Sequence, residues 1–471
     1  LERVEKITGV DKALIAEAAR MYATADGASI PWTPITDQQI SSTSAIRLHS
    51  ILRAVTGNLD VVGGDTLGGF NPSYIPESEL GLHEVLSPEQ KAKQMGYDDH
   101  PVYTYRVAEM LKEPTEKVWG FPYADIVMGC HMANPTNVFR AMKTEQPYPI
   151  KAFIVLGNNA LLSYPNQHQI LEAMMNQELI VAHELFMTPT AMLADYILPG
   201  DVFTERNHVA DGWSWTTRLT LSQKVVEPPE QASSSYQFWH DLAVRFGFGN
   251  EFPWQSIEEV LDHRLARSGR TFREFEEQGF MEMPIPEYRK YRKTGFATPS
   301  GKVELYSSIL EELGFDPLPY YREGPATSPE YPYMVFTGVR EDPFFQTGQR
   351  NVKELRDRCP VPSVFIHPED ATRDGLNDGD WISLETPHGK VSAQLSVQSS
   401  MKQGHLRVPH GWWYPEMRGQ ESLAGAFLSS DAVLCSDDDE FLDYEQGIPH
   451  FKGFPGKVVK AEKPEHLQVA S

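Results

Sequence analysis

Three short stretches of this 471-residue chain end in residues suited to gripping a phosphate-linked nucleotide. Gly157, Asn158 and Asn159 follow the apolar run AFIVL. His183 and Glu184 close the run ELIVAHE, with Thr188 just after, and Asp201 stands past YILP with Glu205 beyond it. Glycine after a strand lets backbone N–H groups approach a pyrophosphate closely. Asparagine and aspartate offer donors and acceptors that match the edge of a base. Arginine and neutral donors hold phosphates through charge-assisted hydrogen bonds. One Gly-Asn turn is commonplace, but three such ends in succession carry weight together.

The elements that must position these residues read as an α/β unit. AFIVL and LIVA are short, β-branched runs of the kind buried in parallel sheets. A helix is expected over about 167–176, a short helix in TPTAMLA and a third strand in YILP. Strand, helix, strand, helix, strand predicts a doubly wound, mostly parallel sheet, whose ligands sit at the carboxyl ends of the strands. Upstream, Asp11 can cap a helix over 11–25 with Leu14, Ala18 and Tyr22 on one face. A second helix over about 43–56 turns Ile46, Ile51, Leu52 and Val55 inward and stops at Gly57. Residues 66–125 read as an irregular insertion with short helices. From 230 to 325 the chain is helical and polar, and FATPSGKVELYS reads as a turn into a strand. After a Pro- and Glu-rich linker near 316–332 the period changes to two, in YMVFTGV, SVFIHP, WISLETPHGKVSAQLSV and HLRVPHG, which signals a β-barrel.

These landmarks together resemble the molybdopterin oxidoreductase family, in the family's order. LGNNA at 156–160 is similar to its Gly-x-Asn-Pro turn. In VAHELFMTPTAMLADYILPGDVFTER at 181–206, Thr188, Thr190, Ala194, Asp195, Leu198, Pro199 and Glu205 fall at the family spacing. FATPSGKVELYS resembles a recurrent turn, TGVR at 337–340 a Thr-Gly-x-Arg pterin contact, and PEDATRDGLNDGDWISLETPHGKV the C-terminal dinucleotide-binding barrel, of double-psi type. HGWWYPE at 410–416 occurs in a branch with thiosulfate and polysulfide reductase-like and acetylene hydratase-like catalytic subunits.

The resemblance implies a cofactor of molybdenum or tungsten held by two molybdopterin guanine dinucleotides. Gly157, Asn158, Asn159, His183 and Glu184 would line one dinucleotide, with Thr188, Asp201 and Glu205 close by. Thr337, Gly338, Arg340, Thr347 and Arg350 would hold the other pterin, with Gln346, His410 and Trp412 completing the set. Asp195 and Pro199 also serve as fold elements, Trp412 and Trp413 as barrel core or funnel wall, and His405 and His410 as packing residues. Two departures stand out. Gln346 replaces a histidine usual in this branch, and SDAVLC puts Ser430, Ala432 and Cys435 where relatives carry polar partners to a pterin.

The implied domains are the end of a preceding α/β domain (1–65), an α/β domain (66–325, irregular over about 66–150) and the barrel (326–471). Residue 1 is Leu and no charged-then-apolar leader follows, so the start reads as a truncated or processed end. Family features that precede these motifs, a 4Fe–4S cluster and the metal's protein ligand, are expected upstream. The N-terminal half of the same enzyme, and an iron–sulfur electron-transfer subunit, are the implied partners. A small inorganic or organic substrate, such as a sulfur or arsenic oxyanion, would be reduced or oxidised; a hydratase or hydroxyl transferase on the same cofactor, and a cofactor-less binding module, are the alternatives.

Bulk properties narrow the classes further. Lys and Arg number 42 against 65 Asp and Glu, a net charge of −23, which argues against nucleic acid, whose binding rests on neutralised phosphates. No apolar run approaches the roughly 20 residues of a membrane-spanning helix. The three cysteines, Cys130, Cys359 and Cys435, are far apart and form no CxxC pair, so they read as buried thiols and not as a metal cage. Asp437 to Glu440 reads as a solvated acidic loop. Compartment stays open between cytoplasm and periplasm.

Overall fold

Ala152–Leu156 (β1), Leu179–Glu184 (β2) and Tyr196–Pro199 (β3) form a parallel sheet in the order β1-β2-β3. Register sets Leu156 opposite His183 and Glu184 opposite Pro199, so the three carboxyl ends lie side by side. The computed structural model describes residues 1–67, 73–210, 218–282, 287–417 and 422–468. Between β1 and β2 runs the helix Gln167–Met175, whose Ile170, Ala173 and Met174 are buried. Those three residues share a core with Leu161, Leu162 and Ile180, as i, i+3, i+4 spacing requires. Asp195 accepts the Ile180 amide at 2.8 Å, which makes it a fold element joining β2 to the start of β3.

A small antiparallel sheet follows, His208–Ala210 (β4), Arg218–Ser222 (β5) and Phe280–Glu282 (β6), backed by Leu261, Leu265, Phe272 and Phe275. The C-terminal unit is a closed six-stranded barrel. Its strands are Tyr333–Val339 (β7), Ser363–Ile366 (β8), Trp381–Thr386 (β9), Gly389–Val397 (β10), His405–Pro409 (β11) and Lys452–Lys460 (β12), in the order β10-β8-β11-β7-β12-β9. Alternation fills its interior: Ile382 and Leu384 of β9, Val364 and Ile366 of β8 and Leu406 of β11 are all sealed from solvent. The fold is thus mixed α/β with a parallel sheet, followed by a closed barrel.

Several local expectations need correction. The stretch read as short helices contains a 15-residue helix, Tyr105–Trp119. Pro114 inside it hid the period, while Thr104 caps its start by accepting from the Arg106 amide. FATPSGKVELYS contains no strand. Glu304 accepts the Ser300 and Ser308 amides, each at 3.1 Å, and Thr298 Oγ1 donates to Lys302 O at 2.7 Å, so side chains take the backbone groups that a ladder would use. The helix Lys12–Thr24 forms under its Asp11 cap but buries none of its residues, and Leu14 is 60% exposed. Val55, read as inward, is likewise exposed.

Sheet and barrel are sewn together by residues 435–439. Asn166, the cap of the helix Gln167–Met175, donates from its amide N–H to Cys435 O at 3.1 Å. Its Nδ2 reaches Asp437 Oδ1 at 2.7 Å, and Gln169 Nε2 reaches Asp437 Oδ2 at 2.6 Å. Arg140 binds Asp439 at 2.7 Å. Asp437 is therefore buried, contrary to the solvated reading, and burial holds its carboxyl above the usual range. Asp439 does face solvent.

Candidate functional site

At the tip of β1, Gly157 takes φ +56 and donates its N–H to His183 O at 3.1 Å. Space above it is open, since an added Cβ would meet no atom within 4 Å; the conformation, not crowding, calls for glycine there. Asn158 is exposed and Asn159 is buried. Asn159 Oδ1 accepts from Thr190 Oγ1 at 2.7 Å and from the Thr190 amide at 3.3 Å, which ties this tip to the turn after β2. Its Nδ2 is buried with no hydrogen-bond partner, a donor that a native structure normally satisfies.

At the tip of β2, Glu184 accepts the Leu185 amide at 3.2 Å, and its backbone oxygen accepts from Gly200 N at 3.1 Å. Burial raises the Glu184 carboxyl above its ordinary value despite that amide. His183 instead packs behind the tip. Its Nε2–H donates to Ser233 O at 2.9 Å, and a Cβ on Gly200 would come 3.1 Å from its ring. Thr188 Oγ1 accepts the Ala191 amide at 3.1 Å. Asp201 is buried and binds Arg206 at 2.6 Å, while Glu205 accepts the Val202 amide at 2.9 Å. The sheet therefore brings Gly157, Asn158 and Glu184 to one edge, and turns His183, Thr188, Asp201 and Glu205 to supporting that edge.

The barrel presents a second group at the end of β7. Thr337 is fully buried and its Oγ1 donates to Phe451 O. Gly338, at φ +67, donates its N–H to Asp431 Oδ2 at 2.6 Å. Asp431 Oδ1 accepts the Gly411 amide at 2.7 Å, and His410 Nδ1 lies 3.2 Å from the same carboxylate. Burial pushes the Asp431 carboxyl up, but His410 and the two amides outweigh it and hold it below the usual range. Asp431 is the residue that sequence reasoning missed. Its one signal was a lone acid in an otherwise small and apolar run, and it clasps the Thr337-Gly338 turn to the His410-Gly411 turn.

Arg340 is exposed, with its guanidinium 4.9 Å from the Phe345 ring centroid. Gln346 is exposed at φ +51. Thr347 is buried, and its carbonyl accepts Trp413 Nε1 at 2.7 Å. Arg350 is 1% exposed and turned inward. It donates to Gln346 O at 2.7 Å, Gly348 O at 2.9 Å and His410 O at 2.8 Å, between the rings of Phe344 and Trp412. Burial pushes its guanidinium down to about 10. Trp412 is fully buried, so of its two readings, core and funnel wall, the structure gives core. Arg350, Trp412 and His410 thus shape the loop from within, while Arg340 and Gln346 face out of it. Cys435, one of the replaced polar positions, is buried 3.3 Å from Thr337 Oγ1. Among the described residues no cluster of three or more His, Cys, Asp or Glu is placed to hold a metal ion.

Comparison with known proteins adds to this geometry. Residues 76–245 match the molybdopterin oxidoreductase family profile, and residues 334–438 match that of the molydopterin dinucleotide binding domain. The chain is 44% identical to acetylene hydratase of Syntrophotalea acetylenica, over 98% of this chain and 64% of that protein. It is 27% identical to the thiosulfate reductase molybdopterin-containing subunit of Salmonella typhimurium, over 59% of this chain and 40% of that one. The solved structure of acetylene hydratase from Pelobacter acetylenicus superposes with a TM-score of 0.93 at 43% identity, covering 98% of this chain and 64% of that one. The chain therefore spans less than two thirds of the length of these relatives.

Proposed function

The chain belongs to the molybdopterin oxidoreductase family, and from that premise we propose that it forms the pterin-dinucleotide-binding part of an enzyme that adds water to a small unsaturated molecule. One observation carries the reading: the likeness to acetylene hydratase is 44% identical and covers 98% of the chain, whereas that to the thiosulfate reductase subunit is 27% identical and covers 59% of it.

The residues fit a molybdenum or tungsten bis(molybdopterin guanine dinucleotide). Open backbone at Gly157, the exposed amide of Asn158 and the unpartnered Nδ2 of Asn159 would take one dinucleotide, with Glu184 accepting from its base. His183, Thr188, Asp201 and Glu205 hold that edge in shape. Arg340 and Gln346 would take the second pterin, while Thr337, Gly338, Thr347, Arg350, His410 and Trp412 set the loop that presents them. When bound, the metal centre supplies a Lewis acid able to activate water or substrate. Orientation and exclusion of bulk water are this chain's share of the work. The metal's protein ligand and a 4Fe–4S cluster would come from a partner portion of the same enzyme.

A second reading, reduction of a sulfur or arsenic oxyanion through an iron–sulfur electron-transfer subunit, is favoured by the thiosulfate reductase likeness. The two separate in one assay. The chain is reconstituted with the metal-ligand-bearing portion and offered acetylene without a redox dye, and thiosulfate with a reduced dye. Hydration of acetylene without net electron transfer is the expected result. Dye-dependent thiosulfate reduction with no hydration would overturn the proposal, and a well-folded product free of metal and guanine nucleotide would overturn the cofactor reading itself.

A further inference from the structure

Parallel sheets are as a rule covered on both faces, because their crossover connections lay helices over them. The sheet β1-β2-β3 is covered on one. Phe153, Val155, Ile180 and Ala182 share that face by register and alternation. Val155 and Ala182 are buried, and Phe153 and Ile180 pack in the core that holds Ile170, Ala173 and Met174 of the helix Gln167–Met175.

The opposite face is different. Register sets Ile154, Val181 and Tyr196 in one row across all three strands. Ile154 and Val181 are only half-buried and belong to no hydrophobic core among the described residues. Tyr196 is 64% exposed. The next row, Leu156, His183 and Leu198, is closed at its centre by His183, which packs under Gly200 and binds Ser233 O. The open row is therefore the one set back from the strand tips. β3 extends the opening, because it pairs with β2 alone and Ile197, on its other face, is 40% exposed. Native proteins cover an apolar edge of this kind.

A second element is left equally bare. The helix Lys12–Thr24 buries none of its residues, and Leu14 and Met21, seven positions apart on one stripe, are 60% and 67% exposed. The chain superposes over 98% of its length on acetylene hydratase with a TM-score of 0.93, yet accounts for 64% of that structure. The rest of that fold lies outside the matched stretch, and bare apolar faces are where it would pack. We propose that the row Ile154, Val181 and Tyr196 is an interface, covered by the part of the family fold that acetylene hydratase carries beyond the matched stretch. This rests on family membership, not on the reaction or the cofactor proposed above.

The test reads association alone. The 471-residue chain is co-expressed with the remaining part of the Syntrophotalea acetylenica protein, and the complex is isolated by size exclusion. Tyr196→Cys should react with a polar maleimide about tenfold more slowly in the complex than in the chain alone. Val459→Cys, at a position 47% exposed on β12, should react equally fast in both. Peptide mapping separates these labels from that on the native Cys359. Both positions face solvent, so both variants keep their fold, which circular dichroism checks. Absence of a complex, an unchanged rate at Tyr196→Cys or an equal fall at Val459→Cys would overturn the proposal. So would a chain that dimerises alone and shields Tyr196→Cys there, since a second copy would then be the occupant.

Discussion

Glu445 offers the most direct test of how the chain is held together. It is 1% exposed, and its carboxylate oxygens accept the Tyr320 hydroxyl at 3.0 and 3.1 Å. Close by, Asp443 is fully buried and accepts Thr43 Oγ1 at 2.7 Å and the Thr43 amide at 2.9 Å. Burial, and then the neighbouring Asp443, push the Glu445 carboxyl from 4.5 up to about 7. Because the folded value lies above the unfolded one, the protonated group favours the fold. That contribution is complete below about pH 4.5 and is lost as pH rises toward 7. At about 1.4 kcal/mol per tenfold change in proton affinity, the whole displacement corresponds to at most about 3 kcal/mol. The Tyr320 hydroxyl, which still donates to the ionised form, is already contained in that displacement, and the part lost between about pH 5 and about pH 8 is about 2 kcal/mol. Glu445→Gln keeps the shape and removes the titration. Urea unfolding of parent and variant at about pH 5 and about pH 8 should show the variant gaining about 2 kcal/mol on the parent between those values. Parallel stabilities at both pH values would refute the reasoning.

Asp431→Ala leaves the Gly338 and Gly411 amides without their partner, and each unsatisfied buried donor costs about 1–3 kcal/mol. Urea titration should show a loss of about 2–4 kcal/mol, and a loss under about 1 would mean that the two turns hold without it. Arg340→Ala should lower pterin-dinucleotide content while changing folding stability by no more than about 0.5 kcal/mol, because its side chain is exposed. Guanine nucleotide released from equal amounts of the reconstituted parent and variant measures this, and equal content would defeat it.

What the sequence revealed and what it hid have physical causes. β1 and β2 were legible because β-branched runs stop at Gly157 and Glu184, local signals that need no knowledge of distant partners. The barrel was legible from alternation in β9 and β10, where every second residue is sealed. β12 was not, since KGFPGKVVK carries glycine, proline and lysine in a strand that pairs only with β7 and β9. The site divided along the same line. Gly157, Asn158 and Glu184 do meet at one edge, as their strand-end positions suggested. The inward turn of Arg350, and the burial of Asp431 and Asp437, depend on partners tens or hundreds of positions away: His410, Gly338 and Asn166. No local pattern records such partners. An acid in a short polar run looks the same whether it ends in water or in a core.

The seam at Asp437 has a mechanical consequence. One carboxylate receives both the capping Asn166 and Gln169 of the sheet's helix, and its own segment lies between the last turn packed on the barrel and β12. Sliding the barrel past the sheet would tear charged hydrogen bonds out of a poorly screened interior. If the strand tips and the barrel loop hold the cofactor as proposed, the two grips are geared together. Neither would then loosen on one tail without moving the other, and loading and release would call for motion elsewhere.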